Sequence, residues 1–199
     1  MPIKLSGHSD KFVVSDRAKG FTLIEIIIVV AISALLTGVL VTYSQRSRQQ
    51  IILNVEKAKV AELINRAKVL TLAGFTDPPT IPPPCAYGFE IDSVGRNYGI
   101  FTYDDPNVAC EDASTITAVD KNFFTYLDPL DPFHRDINII EDPDPTQVVK
   151  YILYIPPELN VLIFDGNGDI KGGGEINFET KDGSFSSSIR VSSNGQLSF

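Results

Sequence analysis

A single acid interrupts a long apolar stretch near the amino terminus. Glu25 is the only formally charged residue between Phe21 and Val41. A charged side chain at the centre of a membrane-spanning helix costs about 2.5 to 3.5 kcal/mol on insertion scales, so such a residue is by default a functional candidate that needs a partner. The alternative is that Glu25 lies only one turn inside the helix and reaches the lipid headgroups. The sequence marks Glu25 as the first candidate functional residue.

A second set of oxygen-bearing side chains occupies a glycine-rich turn. Asp165, Asn167 and Asp169 alternate along the chain as the first ligands of a calcium loop do. However, Ile170 replaces the required turn glycine, and Ile176 stands where a bidentate glutamate is needed. The pattern is a weak calcium candidate, and a hairpin turn with solvent-facing acids is the favoured interpretation.

Other enzymatic chemistry finds little support in the chain. His134 is the only histidine after residue 20, and it lies in an acidic, proline-rich segment without a serine or cysteine nucleophile motif. The glycines at 172–174 open a predicted strand and do not form a phosphate-binding loop before a helix. We therefore predict neither an enzyme nor a cofactor.

The chain has two cysteines, Cys85 and Cys110, and both follow the apolar stretch. In an exported acidic domain an even pair indicates a disulfide, and closing that loop would stabilise the fold by about 3.5 kcal/mol on the chain-entropy estimate. Two reduced thiols in a cytosolic domain are the alternative.

The apolar stretch itself predicts a helix that spans a membrane. The segment 21–41 would reach about 31 Å as a helix, close to the thickness of about 30 Å of a bilayer core. An ordinary secretory signal fits poorly, because the apolar core runs on into a polar helical segment and no short core with a small-residue cleavage site is present.

Helical periodicity continues beyond the apolar stretch, through residues 42–74, with Gly74 as the predicted C-cap. Apolar residues recur at spacings of three, four and seven and predict one buried stripe. The stripe comprises Leu53, Val60, Ile64, Ala67 and Leu70, with Ala61 and Leu63 beside it. The predicted polar face comprises Glu56, Lys57, Lys59, Glu62, Arg66 and Lys68.

The rest of the chain predicts a small antiparallel β domain at 85–199, after a proline-rich linker at 75–84. Alternation predicts a hairpin of strands 87–91 and 98–103. The region 104–146 is predicted to form long loops with one short element near 123–126. Five further strands are predicted at 148–155, 161–164, 175–180, 185–192 and 196–199. The aromatic residues at alternating positions of these strands could form a binding groove, but they are more simply explained as core and strand-surface residues. The predicted fold class is α+β.

Charge is distributed unevenly. Residues 21–74 carry six Lys/Arg and three Glu, a net +3, whereas residues 75–199 carry seven Lys/Arg and twenty Asp/Glu, a net −13. Nucleic-acid binding requires clustered cations that release phosphate counterions, so no nucleic-acid partner is expected.

The segment Gly20-Phe21-Thr22-Leu23-Ile24-Glu25, after a short charged leader and before an apolar helix, resembles the class III signal of type IV pilins and type II secretion pseudopilins. The resemblance implies that prepilin peptidase removes the leader 1–20 between Gly20 and Phe21, that Phe21 becomes N-methylated, and that Glu25 guides assembly with other pilin subunits. It also implies a pilin-like fold, single-pass insertion in the inner membrane with an extracytoplasmic head, contact with the membrane platform of the assembly machine, and a later place in a filament.

The carboxyl-terminal sequence FDGNGDIKGGGEINF, the strand SIRVS and the ending NGQLSF resemble the GspH/FimT group of minor pseudopilins and minor pilins. Basic residues that some DNA-binding members carry near the last glycine turn are replaced here by residues 194–197, NGQL. Thr42 stands where major pilins commonly have proline. The resemblance thus implies a minor pilin or pseudopilin of a type IV pilus or type II secretion filament. The alternatives are a major pilin and a membrane-anchored binding domain that does not polymerise.

Overall fold

The computed structural model describes residues 20–76, 84–106, 110, 115–140 and 148–199. The predicted leader before Gly20 and most of the predicted proline-rich linker lie outside the described residues. By contacts the chain divides into two units, Met1–Ser44 and Gln45–Phe199. The predicted α+β architecture is confirmed: one long amino-terminal helix is followed by antiparallel strands.

Helix α1 runs from Leu23 to Thr76 without interruption at Gly38. The predicted C-cap at Gly74 is wrong, because the helix continues through that residue for two more positions. The next residues in the sequence are Asp77 and Pro78. Proline lacks an N–H group and restrains the residue before it, so the end of α1 is set by the proline and not by the glycine.

The predicted buried stripe of the second unit is observed. Leu53, Val60, Ile64 and Ala67 are all buried. The assignment of Glu56 to the polar face is wrong, because its side chain is only 3% exposed. Glu56 lies three residues after Leu53 and four before Val60, so helical spacing places it on the buried stripe.

Two antiparallel sheets form the second unit together with the part of α1 that begins at Gln45. The strands are β1 (Ala86–Asp92), β2 (Asn97–Tyr103), β3 (Phe124–Tyr126), β4 (Asp131–Pro132), β5 (Ile137–Ile140), β6 (Val149–Ile155), β7 (Asn160–Asp165), β8 (Ile170–Lys171), β9 (Gly173–Thr180), β10 (Ser186–Ser192) and β11 (Leu197–Ser198). The larger sheet has the order β3-β2-β1-β6-β7-β8, with β4 also paired to β2. The smaller sheet has the order β11-β10-β9-β5.

The main core lies between α1 and one face of each sheet. From the larger sheet it takes Phe89, Tyr98 and Ile152, and from the smaller sheet Phe178 and Ile189. Each of these side chains is at most 1% exposed. The sequence pattern predicted the longer strands of both sheets, but it did not predict β4, β5 or β8, or the division of the strands into two sheets.

The opposite face of the larger sheet is also covered. A second cluster joins Phe101, Leu153 and Phe164 from the strands to Ile116 and Phe124 from the segment 115–126. A Cβ atom at position 88 would overlap the Phe101 ring, so this face requires glycine at that position of β1. Because both faces of β6 are covered, the strand has the nearly continuous apolar run YILYI and not a strict alternation.

The region 104–146 holds more regular structure than the expected loops with one short element. A 3-10 turn at Lys121–Phe123 leads into β3, and both β4 and β5 follow within the same region. These strands are two to four residues long, too short for a period-two pattern to emerge from the sequence.

Candidate processing and assembly site

Thr22 begins the helix that carries the predicted motif. Its carbonyl oxygen accepts hydrogen bonds from the backbone N–H groups of Glu25 (3.1 Å) and Ile26 (3.2 Å), and its Oγ1 atom lies 3.3 Å from the Glu25 nitrogen. Thr22 is therefore the N-cap, and Thr22-Leu23-Ile24-Glu25 has the threonine-to-glutamate spacing of a capping box. The bond between Gly20 and Phe21 lies before this cap, outside the helix.

Glu25 occupies the third position of α1, in its first turn. The amino-terminal end of a helix carries a partial positive charge of about half an elementary charge, so a carboxylate is favoured there. An α-ammonium group created at Phe21 by cleavage would add a full positive charge just before the same turn. A carboxylate from this chain or from a second one would neutralise it, and Glu25 is the acid that the motif supplies.

The first part of α1 exposes an apolar surface that water does not tolerate. Fourteen large hydrophobic residues from Phe21 to Val41 are at least half exposed, with Phe21 at 77%. At roughly 1.5 to 3 kcal/mol for fully burying one such side chain, their transfer out of water is worth as much as, or more than, the total stability of about 5 to 15 kcal/mol of a typical protein. The helix is long and apolar enough to cross a membrane.

Two threonine hydroxyls of this stretch and its end are satisfied within the helix. The Thr37 hydroxyl donates to the Ser33 carbonyl at 2.8 Å, and the Thr42 hydroxyl donates to the Gly38 carbonyl at 3.0 Å. Such internal hydrogen bonds suit an apolar surrounding, where an unpaired polar group is costly. A proline at position 42 would remove the backbone bond to Gly38 and clash with the same carbonyl.

Asp165, the first residue of the weak calcium candidate, already has partners. Its Oδ1 atom accepts from the backbone N–H groups of Asn167 (2.8 Å) and Asp169 (2.9 Å), and the Lys171 ammonium lies 3.2 Å from Oδ2. Burial by itself favours the protonated acid, but these partners outweigh it and hold the pKa of Asp165 below its usual value. Asp165 acts here as the capping residue of the β7–β8 turn, and a calcium ion would have to displace Lys171.

The two cysteines are adjacent in space. The Cα atoms of Cys85 and Cys110 are 4.6 Å apart, and the structure joins their sulfur atoms in a disulfide. Asp104 lies beside the same sulfur atoms. The bond connects the residue before β1 to the chain that leads to the segment 115–126.

His134 is a loop residue without a nucleophile beside it in the described part of the chain. Its Nδ1 atom accepts from the Asp136 backbone N–H at 3.2 Å, and its carbonyl accepts from the Ile137 N–H at 2.9 Å. The guanidinium of Arg96 also donates to that carbonyl. These contacts shape the loop before β5.

Sequence reasoning missed a buried charge cluster on the second face of the larger sheet. Glu90 of β1 is 1% exposed; it forms an ion pair with Lys121 through Oε1 and accepts a hydrogen bond from the Tyr126 hydroxyl through Oε2. Lys121 also lies over the Tyr151 ring, 5.8 Å from its centre. The cluster fixes the segment 115–126 to the sheet.

No curated protein and no solved structure matches the chain. Residues 15–41 match the family model of the prokaryotic N-terminal methylation motif. The match covers the predicted cleavage bond, Glu25 and the exposed apolar part of α1. The chain therefore carries the class III signal of type IV pilin-like proteins.

Proposed function

We propose that the protein is a structural subunit, a minor pilin or pseudopilin, of a type IV pilus or type II secretion filament. The observation that carries the proposal is the methylation motif at residues 15–41, set at the start of an exposed apolar helix with Glu25 in its first turn. The fold agrees with this role, since a long amino-terminal helix precedes an antiparallel β domain.

Prepilin peptidase cuts the bond between Gly20 and Phe21 in this proposal, and Phe21 is then N-methylated. Both residues are exposed and precede the N-cap, so the bond is reachable without unwinding the helix. The new α-ammonium group starts the mature chain.

Assembly then depends on charge pairing between subunits. An ammonium and a carboxylate are both poorly solvated at low dielectric, so each gains from contact with the other. We assign Glu25 of one subunit as the partner of the Phe21 amine of its neighbour. The lipid bilayer covers the apolar helix before assembly, and neighbouring helices cover it afterwards.

The remaining assignments concern the head at 85–199. It lies outside the cytoplasm, where the Cys85–Cys110 disulfide forms, and its acidic surface faces partner subunits or an exported substrate and not nucleic acid. The membrane platform of the assembly machine is a further partner.

A thiol reagent tests the pairing of the two cysteines. If they are bonded in the native protein, the reagent labels the chain only after reduction. Labelling before reduction would contradict the pairing.

The minor or pseudopilin role is preferred over that of a major pilin because Thr42, hydrogen-bonded to Gly38, keeps α1 unbroken where proline is common in major pilins. Subunit abundance in sheared filaments separates the two roles.

Replacement of Glu25 by Ala tests the proposal. Membrane insertion and leader removal continue, while incorporation into filaments is lost, because the amine that the carboxylate pairs with belongs to the neighbouring subunit. Glu62→Ala is the matched control, since it removes an exposed acid from the same helix outside the motif. Normal incorporation of the Glu25→Ala chain would refute the role of Glu25. If neither the native chain nor either variant enters filaments, the result would favour an anchored domain that does not polymerise.

A further inference from the structure

One cysteine of the disulfide is buried and the other is exposed. Cys85, directly before β1, is only 4% exposed, whereas Cys110 is an exposed residue. A thiol that reduces a disulfide must bring its thiolate into contact with one of the two sulfur atoms. Burial of Cys85 therefore directs the attack to Cys110 and makes Cys85 the group that leaves.

A carboxylate lies beside the leaving sulfur atom. The Oδ1 atom of Asp104 is 3.4 Å from Sγ of Cys85. The register of the β1–β2 hairpin produces this contact, because Ala86 pairs with Tyr103 and the two residues just outside that pair are Cys85 and Asp104. The backbone N–H of Asp104 also donates to the Phe123 carbonyl at 3.3 Å. The sheet thus holds the carboxylate in place independently of the disulfide.

The charge of Asp104 is not neutralised in the described part of the chain. None of the salt bridges between described residues includes its carboxylate. The sequence from 84 to 112 contains six Asp/Glu and one Lys/Arg, which is Arg96. The hydrogen bonds of Arg96 go to the loop before β5 and to β5 itself, at residues 134, 137 and 138. The disulfide therefore lies in a locally acidic part of the head.

Reduction of the disulfide by a monothiol takes two exchanges. In the first, the thiolate forms a bond with Sγ of Cys110 while the bond between the two cysteines breaks, and Cys85 leaves with the electron pair as a thiolate. In the second, another thiolate attacks the mixed disulfide and releases Cys110. The monothiol is oxidised to its own disulfide, and each cysteine takes a proton from water. The negative charge of the first exchange thus develops beside Asp104.

We propose that Asp104 protects the Cys85–Cys110 disulfide from reduction by disfavouring the thiolate of Cys85. A less stable thiolate leaves more slowly, so the carboxylate lowers the rate of the first exchange. In water, two unit charges 4 Å apart repel enough to slow a reaction by about fivefold. The protection compensates for the exposure of Cys110. It goes beyond the proposed function, because it concerns the head alone and holds whether or not the chain assembles.

The test compares the full native chain with Asp104→Asn in detergent micelles. Asparagine has nearly the same shape without the charge, and position 104 is exposed, so the packing of the head is retained. Both chains are treated with 2-mercaptoethanol at 0.1 M ionic strength, and samples are quenched with N-ethylmaleimide for mass spectrometry. We expect Asp104→Asn to be reduced about threefold to fivefold faster, since the two groups lie well within the Debye length of about 10 Å.

Three controls isolate the charge at position 104. Asp92→Asn removes an acid from the opposite end of the same hairpin, about 23 Å from Cys85 at about 3.3 Å per residue, and should leave the rate unchanged. In 1 M salt the Debye length falls to about 3 Å, so the effect of Asp104→Asn should fall below about twofold. In urea, where the fold no longer holds Asp104 beside Cys85, the native and Asp104→Asn chains should be reduced at the same rate.

Four results would overturn the proposal. Equal or slower reduction of the folded Asp104→Asn chain shows that the carboxylate does not protect. Equal acceleration by Asp92→Asn assigns the effect to net charge, and a difference that persists in 1 M salt assigns it to shape. A difference that persists in urea shows that the fold is not its source. Free thiols in the purified native chain would contradict the disulfide itself, without bearing on leader cleavage or assembly.

Discussion

Replacing Lys121 with Met should destabilise the head by isolating the buried carboxylate of Glu90. The Lys121 ammonium is the only partner of Oε1 in the described residues, so its removal leaves that oxygen unpaired with 1% exposure of the residue. Breaking a fully buried pair costs about 3 to 5 kcal/mol, and an exposed pair is worth about 0 to 1 kcal/mol. Because the Lys121 side chain is 50% exposed, we expect an intermediate loss of about 2 kcal/mol.

Urea unfolding measures this loss. The chain has no tryptophan, and six of its seven tyrosines lie in the head, so near-ultraviolet circular dichroism of the tyrosines reports on the packing of the head. With a slope of about 2 kcal/mol per molar urea, the midpoint should fall by about 1 M. Lys150→Met is the matched control, because Lys150 lies over the same Tyr151 ring at 5.5 Å and forms no salt bridge with a described carboxylate. Its midpoint should change by no more than about 0.3 M.

A double variant tests the reason for the loss. Glu90→Gln together with Lys121→Met removes the charge that Lys121 compensates, so the pair should recover at least about 1 kcal/mol relative to Lys121→Met alone. Equal midpoints for Lys121→Met and Lys150→Met, or a double variant less stable than Lys121→Met, would refute this account of the cluster.

Two predictions concern the buried tyrosines. Tyr154→Phe should leave the free energy of unfolding unchanged or raise it by about 1 kcal/mol, because the Tyr154 hydroxyl is buried without a partner among the described residues. Tyr98→Phe should lower the free energy of unfolding by about 1.5 to 3 kcal/mol, because it removes the hydroxyl that donates to Oε2 of the buried Glu56 carboxylate. Thermal melts that show equal losses for the two variants would contradict both assignments. Burial raises the pKa of Tyr103 and of Tyr154 to about 12, so the folded state retains protons that the unfolded state loses above pH 10. The contribution of these tyrosines to stability should therefore be constant below pH 10 and fall between pH 10 and 12 by up to about 1.4 kcal/mol per pH unit for each tyrosine. A Tyr154→Phe chain with an unchanged alkaline slope would exclude that residue as a source.

Local patterns predicted the parts of the fold that local physics controls. The apolar run and the helical period of the stripe from Leu53 to Ala67 predicted α1, and alternation with turn residues predicted the longer strands. Glu56 could have been found from the same period, since it falls between Leu53 and Val60 on the stripe. Residue type outweighed position in that prediction, because glutamate is rarely buried without a partner and its partner, Tyr98, is remote in sequence.

Non-local packing determined what the sequence could not show. Glu90 stands between Phe89 and Ile91, and such alternation is typical of a strand with one solvent face. In the structure the segment 115–126 covers that face and brings Lys121 to the carboxylate. The candidate functional site, in contrast, is a short contiguous motif, so Gly20, Phe21 and Glu25 could be selected from the sequence alone.

The amino terminus of the mature protein provides the most direct test of the proposed function. Mass spectrometry of the chain purified from its native membrane should find a polypeptide that begins with N-methylated Phe21 and lacks residues 1–20. A chain that retains these residues has no α-ammonium group at Phe21 for Glu25 to pair with, and this result would contradict assembly of the protein into a filament.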